Sequence, residues 1–139
     1  MKRNVPFLLV LLTLTTLALA DPQPQDDPIG QSLFPPEMLM KYQTEIGLDE
    51  NQQTTIKGEI QKAQSKFMDF QWQMQTETQK MMKLLQAKPV DEVKVLAQAD
   101  KVMDLEREVK KTQLTLLIRI KNSLSEQQQS KLMELRSKP

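Results

Sequence analysis

The sequence predicts an all-α protein: a long antiparallel helical hairpin with a short helix at each end. Three observations predict it. From Asn51 to about Ala87 there is no proline, and apolar residues recur at spacings of three, four or their sum, the pattern of a helix packed lengthwise on another. A second such stretch runs from about Glu92 to Asn122, after the turn signal "KPVDE". Two closely related phrases, "GLDENQ" at 47–52 and "SLSEQQ" at 123–128, bracket the pair, and each carries a helix-start signal.

Composition agrees with this class. The chain is glutamine-rich, 27% charged and poor in aromatics, with four Phe, one Trp and one Tyr. That mixture suits long, partly solvated helices better than a compact globule. Residues 1–20, "MKRNVPFLLVLLTLTTLALA", join a basic pair, an apolar run and a small-x-small end, so they read as a secretory signal peptide cleaved after Ala20. Thr13, Thr15 and Thr16 interrupt the run, whereas a membrane span needs roughly 20 apolar residues. Cleavage leaves no membrane insertion and predicts a periplasmic protein. Loss of Lys2 and Arg3 turns the formal net charge of +1 into −1, so bulk attraction to nucleic acid or anionic lipid is not expected. An exported chain without cysteine must hold its fold by packing or association.

Residues 21–34, opening "DPQPQDDPIGQ", read as a flexible tether, and residues 35–139 as one helical domain. In "PPEMLMKYQTEIG", Pro36 suits a first helical turn, Met38, Leu39, Tyr42 and Ile46 give an apolar side, and Gly47 suits a left-handed stop. On the long helix that follows, Ile56, Ile60, Ala63, Phe67, Phe70, Met74, Met81 and Leu85 form the seam. Asp91 is the expected N-cap of its partner, whose inner stripe is Val95, Ala99, Val102, Val109, Leu116 and Ile120, interrupted by Glu106 and Gln113. Glu106 with Lys110 and Asp104 with Arg107 mark a solvated flank.

Each repeated phrase is a capping box. Asp49 with Gln52, and Ser125 with Gln128, stand three residues apart, so each glutamine reaches back to the cap's own N–H; Leu48 and Leu124 stand where a hydrophobic staple pins the incoming chain. The first box follows a short helix and starts a long one, and the second reverses that order. The boxes are therefore expected side by side at the open end of the hairpin.

This arrangement resembles the exported, all-helical Spy/CpxP family and the related heavy-metal-resistance sensor proteins, marked by a Leu-Thr-x-x-Gln phrase near each end of the helical domain. The resemblance covers roughly residues 35–137 and is most telling over "VDEVKVLAQADKVMDLEREVKKTQLTLLIRIKNSLSEQQQSKLMEL". Leu48-Asp49 and Leu124-Ser125 replace Leu-Thr, and Gln52 and Gln128 stand at the family's glutamine positions. The resemblance implies a periplasmic homodimer shaped as an elongated cradle, acting in envelope stress or metal tolerance without catalysis.

Second apolar bands bear on function. At about 100° per residue Met82, Met68 and Trp72 lie about 60°, 100° and 140° round from Phe67, while Leu96, Met103 and Leu114 lie about 120–140° from Val109. Two readings fit: the bands pack against the short helices or a second subunit, or they form a surface for unfolded segments of other proteins or a membrane-sensor domain. Methionine's flexibility suits the latter. A metal site for zinc, nickel or cobalt lacks its usual ligands, because the chain has no His or Cys. Thioethers select Cu(I), for which Met81 with Met82, or Met38 with Met40, are the only clusters. Where members of the family bind metal through histidine, nothing carries over. Catalysis by His or Cys is unavailable, no serine has a triad partner, no glycine loop cradles phosphate, and no cofactor is expected.

Overall fold

The computed structural model describes residues 28–137; the expected signal peptide and the tether residues 21–27 lie outside the described residues. The described chain is all-helical: α1 Pro28–Gln31, α2 Pro36–Tyr42, α3 Glu50–Leu85, α4 Glu92–Asn122 and α5 Glu126–Arg136. With 36 residues α3 is about 54 Å long at about 1.5 Å per residue. It packs along α4 as the hairpin, and α2 and α5 are the short helices at its open end.

The last part of the expected tether is packed rather than free. Residues 28–31 form one helical turn, and Leu33 and Phe34 are buried, Phe34 to 1% exposure. Two adjacent apolar side chains before Pro35 outweigh the polar, proline-rich stretch that precedes them. The first short helix is also shorter than its apolar pattern, ending at Tyr42, with one more turn to Gly47. There Gly47 takes φ +62°, the Leu48 N–H donates to Gln43 O at 2.9 Å, and the Gly47 N–H donates to Thr44 O at 3.1 Å. Those two bonds are a Schellman reversal, and the left-handed residue it needs is the glycine.

The seam is a regular alternation of threes and fours. On α3 it runs Ile56, Ile60, Ala63, Phe67, Phe70, Met74, Glu77, Met81 and Leu84; on α4 it runs Val95, Gln98, Val102, Leu105, Val109, Thr112 and Leu116. Leu85, expected inside, is 52% exposed, because the register places Leu84 inward. Glu106 and Gln113 do not interrupt the α4 stripe: both are exposed, and Leu105 and Thr112 fill those levels. The Asp104–Arg107 pair forms at 2.8 Å; Glu106 and Lys110 make no ion pair.

Burial is concentrated at the open end. Phe34, Met38, Leu39, Ile46, Ile56, Ile120, Leu124 and Leu132 form one cluster there, contributed by every helix except α1 and by the phrases themselves. From residue 64 to residue 119 the only buried residue is Gln98. The hairpin therefore has a solid base and a two-helix arm whose seam is half-buried.

Candidate functional site

At the base the two phrases clasp each other. Asp49 accepts the Gln52 N–H at 2.8 Å and Ser125 Oγ accepts the Gln128 N–H at 3.1 Å, while Gln52 Oε1 and Gln128 Oε1 accept the N–H groups of Asp49 and Ser125 at 3.2 and 2.9 Å. Both capping boxes are complete. The free ends of the two amides then meet: Gln52 Nε2 donates to Gln128 Oε1 at 2.7 Å, and Gln128 Nε2 donates to Gln52 Oε1 at 2.9 Å. Their remaining protons go to Ser123 O at 2.8 Å and Gly47 O at 3.2 Å, each in the opposite phrase. Each amide thus makes four hydrogen bonds, its full capacity.

Sequence reasoning placed the boxes together but missed the amide exchange and a second pair of glutamines. Gln53 Nε2 donates to Leu48 O, and Gln129 Nε2 donates to Leu124 O and Lys121 O, all at 3.1 Å. The signal was present as the doubled glutamine that follows each leucine at the same spacing. Leu48 is half-buried against the core and Leu124 is buried in it.

Above the clasp the hairpin has two unlike sides. On one, a groove is lined by Glu59, Lys62 and Lys66 of α3 with Glu108, Lys111 and Arg119 of α4, and it continues past Gln73, Glu77, Lys101 and Asp104. Glu59 accepts from Lys62 at 2.7 Å and from Arg119 at 2.6 Å, and these donors hold its carboxyl below the usual range. Glu77, nearer the tip, is lowered by Lys80 at 2.7 Å and by Gln98, whose Nε2 lies 2.6 Å from Glu77 Oε2 and 2.9 Å from Glu77 O. Burial of Gln98 is explained by those two bonds. Asp91 caps α4 and is held low by the Lys94 N–H.

The opposite flanks of α3 and α4 share the other side. Met68, Gln75 and Met82 repeat every seven residues on α3, as do Leu96, Met103, Lys110 and Leu117 on α4, so each row stays on one flank of the seam. The Glu77–Gln98 and Glu59–Arg119 contacts fix the register, which sets Met82 level with Leu96 and Trp72 level with Met103. Met68 is 62% and Trp72 67% exposed; Met82, Leu96, Met103 and Leu114 are exposed as well. Trp72 and Leu114 stand farthest round, and Met68 and Trp72 edge a shallow pocket with Gln71 and Gln75. α2 and α5 sit at the base and leave Met68, Trp72, Met82, Leu96 and Met103 exposed, while Leu114 faces α1 across a groove. The uncharged polar side chains Gln64, Gln71, Gln75 and Gln113 are interspersed along this side.

The described residues offer a resident metal no built ligand set. Among the described residues no three His, Cys, Asp or Glu side chains gather as a ligand set. Met81 is half-buried in the seam while its neighbour Met82 is exposed, and Met38 is buried while Met40 is exposed, so neither thioether pair converges. No helix among the described residues is long and apolar enough to cross a membrane.

A family model described as heavy-metal resistance matches residues 6–131 of the chain. No curated protein and no solved structure matches it.

Proposed function

Given that the chain belongs to the heavy-metal-resistance family, a Spy/CpxP-like group of helical proteins, we propose that it serves resistance by holding exposed segments of other proteins on the methionine-rich side of its hairpin. In this reading it is an exported, ATP-independent chaperone or adaptor that acts without a metal of its own. One observation carries the reading. Met68, Trp72, Met82, Leu96 and Met103 are exposed together on one side of a two-helix arm, with amide side chains between them, Glu106 and Lys110 as charges among them, and the Glu59–Lys62, Glu59–Arg119 and Glu77–Lys80 ion pairs on the other side.

The chemistry of that side fits a varied ligand. Methionine and tryptophan supply adaptable apolar contact, and a glutamine amide both donates to and accepts from a peptide backbone of any sequence. A dedicated metal sensor would need a ligand set; the chain has no His or Cys, and among the described residues no three Asp or Glu side chains gather as one.

The test is light scattering from an aggregating, chemically unfolded protein, with and without the purified chain, in the absence of nucleotide and again after chelation. Suppression near stoichiometric ratio that survives chelation is expected. Combined substitution of Met68→Ser, Trp72→Gln and Met103→Ser is expected to abolish suppression while helicity by circular dichroism is kept. If the variant instead changes from dimer to monomer by sedimentation and still suppresses aggregation, the side is a subunit interface and the reading fails. Metal-dependent Trp72 emission with Cu(I), Zn(II) or Ni(II) would favour a metal-responsive regulator.

A further inference from the structure

We propose that residues 28–33 form a displaceable strap, an in-built peptide that occupies the base of the methionine-rich side and gives way to a client chain. The proposal rests on the reading of that side as a client surface and specifies how access to it is regulated.

The strap lies on the same α4 row as the exposed band. Ile29, Gly30 and Leu33 form one wall of a groove whose other wall is Lys110, Gln113, Leu114 and Leu117. Leu96, Met103, Lys110 and Leu117 are successive members of one seven-residue row, so the strap covers the base of a track whose upper half is open. A client running along that track reaches the strap.

The strap is held by features that any peptide offers. Arg136 of α5 donates through Nη1 to Gln31 O at 2.5 Å and Gly30 O at 3.4 Å, and through Nη2 to Leu33 O. Lys121 Nζ donates to Ser32 O at 2.8 Å. Four consecutive carbonyls are thus read by two cations, with apolar side chains at i and i+4, Ile29 and Leu33, turned to the groove. Backbone recognition of this kind does not depend on the strap's own sequence.

The hold is weakest in the first half of the strap, before the buried Leu33. α1 is a single turn of four residues, far below the length at which a helix is stable alone, and Ile29 is 61% exposed. The point at which the strap would swing is by contrast firm. Phe34 is anchored in the core, Arg136 stacks 5.4 Å from its ring centroid, and Pro35 and Pro36 restrict the backbone beyond it. Release therefore leaves the helical core in place.

The chain has no cysteine and a single tryptophan, which gives two separable reporters. Gln31→Cys carries an environment-sensitive dye on the strap, at an exposed side chain whose carbonyl still faces Arg136, and Trp72 reports the client surface. Reduced, carboxymethylated ribonuclease A, a client without tryptophan, is titrated into the labelled chain. Both signals are expected to change with one midpoint, and Ile29→Asp and Arg136→Gln are each expected to tighten client binding. If the strap is closed about nine-tenths of the time, full release strengthens apparent affinity about tenfold. Ile29→Asp leaves the core untouched, so it tests the proposal even where Arg136→Gln loosens the fold in a thermal melt. A Trp72 response with a silent dye, or unchanged affinity in the Ile29→Asp chain, overturns the strap and leaves the client surface standing. Silence of both reporters overturns both.

Discussion

Gln52 and Gln128 are each other's hydrogen-bond partners as well as cap residues, and that double role sets what their loss costs. A lost cap alone is worth about 0.5–2 kcal/mol. Here Gln52→Ala also removes the partner of the Gln128 amide and the donor to Ser123 O, so about 1–3 kcal/mol is expected for either single change. Once one amide has gone, the other has already lost its exchange. The double variant should therefore cost less than the two singles together, with a coupling on the order of 0.5–3 kcal/mol in urea titrations. Strict additivity would mean that the two amides cap independently and that the clasp contributes nothing. Because the clasp lies at the base, client holding should persist in both singles at temperatures where they remain folded.

At the scale of the helices, the charged side of the hairpin predicts a pH response. The carboxyls of Glu59 and Glu77 are lowered by Lys62 with Arg119 and by Lys80 with Gln98, and Asp91 is lowered by the Lys94 N–H. A carboxyl lowered in the folded state stabilises above its unfolded pKa, near 4, and that contribution is lost as pH falls through the folded value. Melting temperature should thus hold steady from about pH 7 to 5 and decline below about pH 4, with part of the decline removed in Glu77→Gln. An undiminished acid decline in that variant would show that Glu77 does not carry it. The element plan behind this response was largely legible in the sequence, because proline, the capping boxes and the three-four spacing are local signals. Glu77, Gln98 and Thr112 were missed as seam residues because each is polar, and for Glu77 and Gln98 only the partner helix shows why they lie inward. Packing of Leu33 and Phe34 was hidden for a related reason: their neighbours in the fold, Arg136 among them, are about a hundred residues away in the chain. The six apolar candidates could be set off the seam by angle alone, but the side they share depends on the register between helices.

For the molecule as a whole, a solid base carries an arm with most of its ion pairs on one side and exposed methionine, tryptophan and glutamine on the other, where charges are few, Glu106 and Lys110 among them, and that division predicts how client binding responds to salt. Interactions between exposed charges are largely screened once ions shorten the Debye length, which falls from about 10 Å at 0.1 M to about 3 Å at 1 M. Apolar contact is not weakened by that screening. If clients lie on the methionine-rich side, as proposed, their affinity read from Trp72 emission should change by less than about twofold between about 0.05 and 0.5 M sodium chloride. The ion pairs of the other side, Glu59–Arg119 among them, are exposed or half-exposed, and their screening should cost the fold little, so the comparison is between folded states. A tenfold loss of affinity at the higher salt would assign clients to the groove of Lys62, Lys66 and Lys111 instead, with electrostatic attraction as its driving force. In that case Lys66→Glu would lower affinity and the Met68, Trp72 and Met103 substitutions would leave it unchanged.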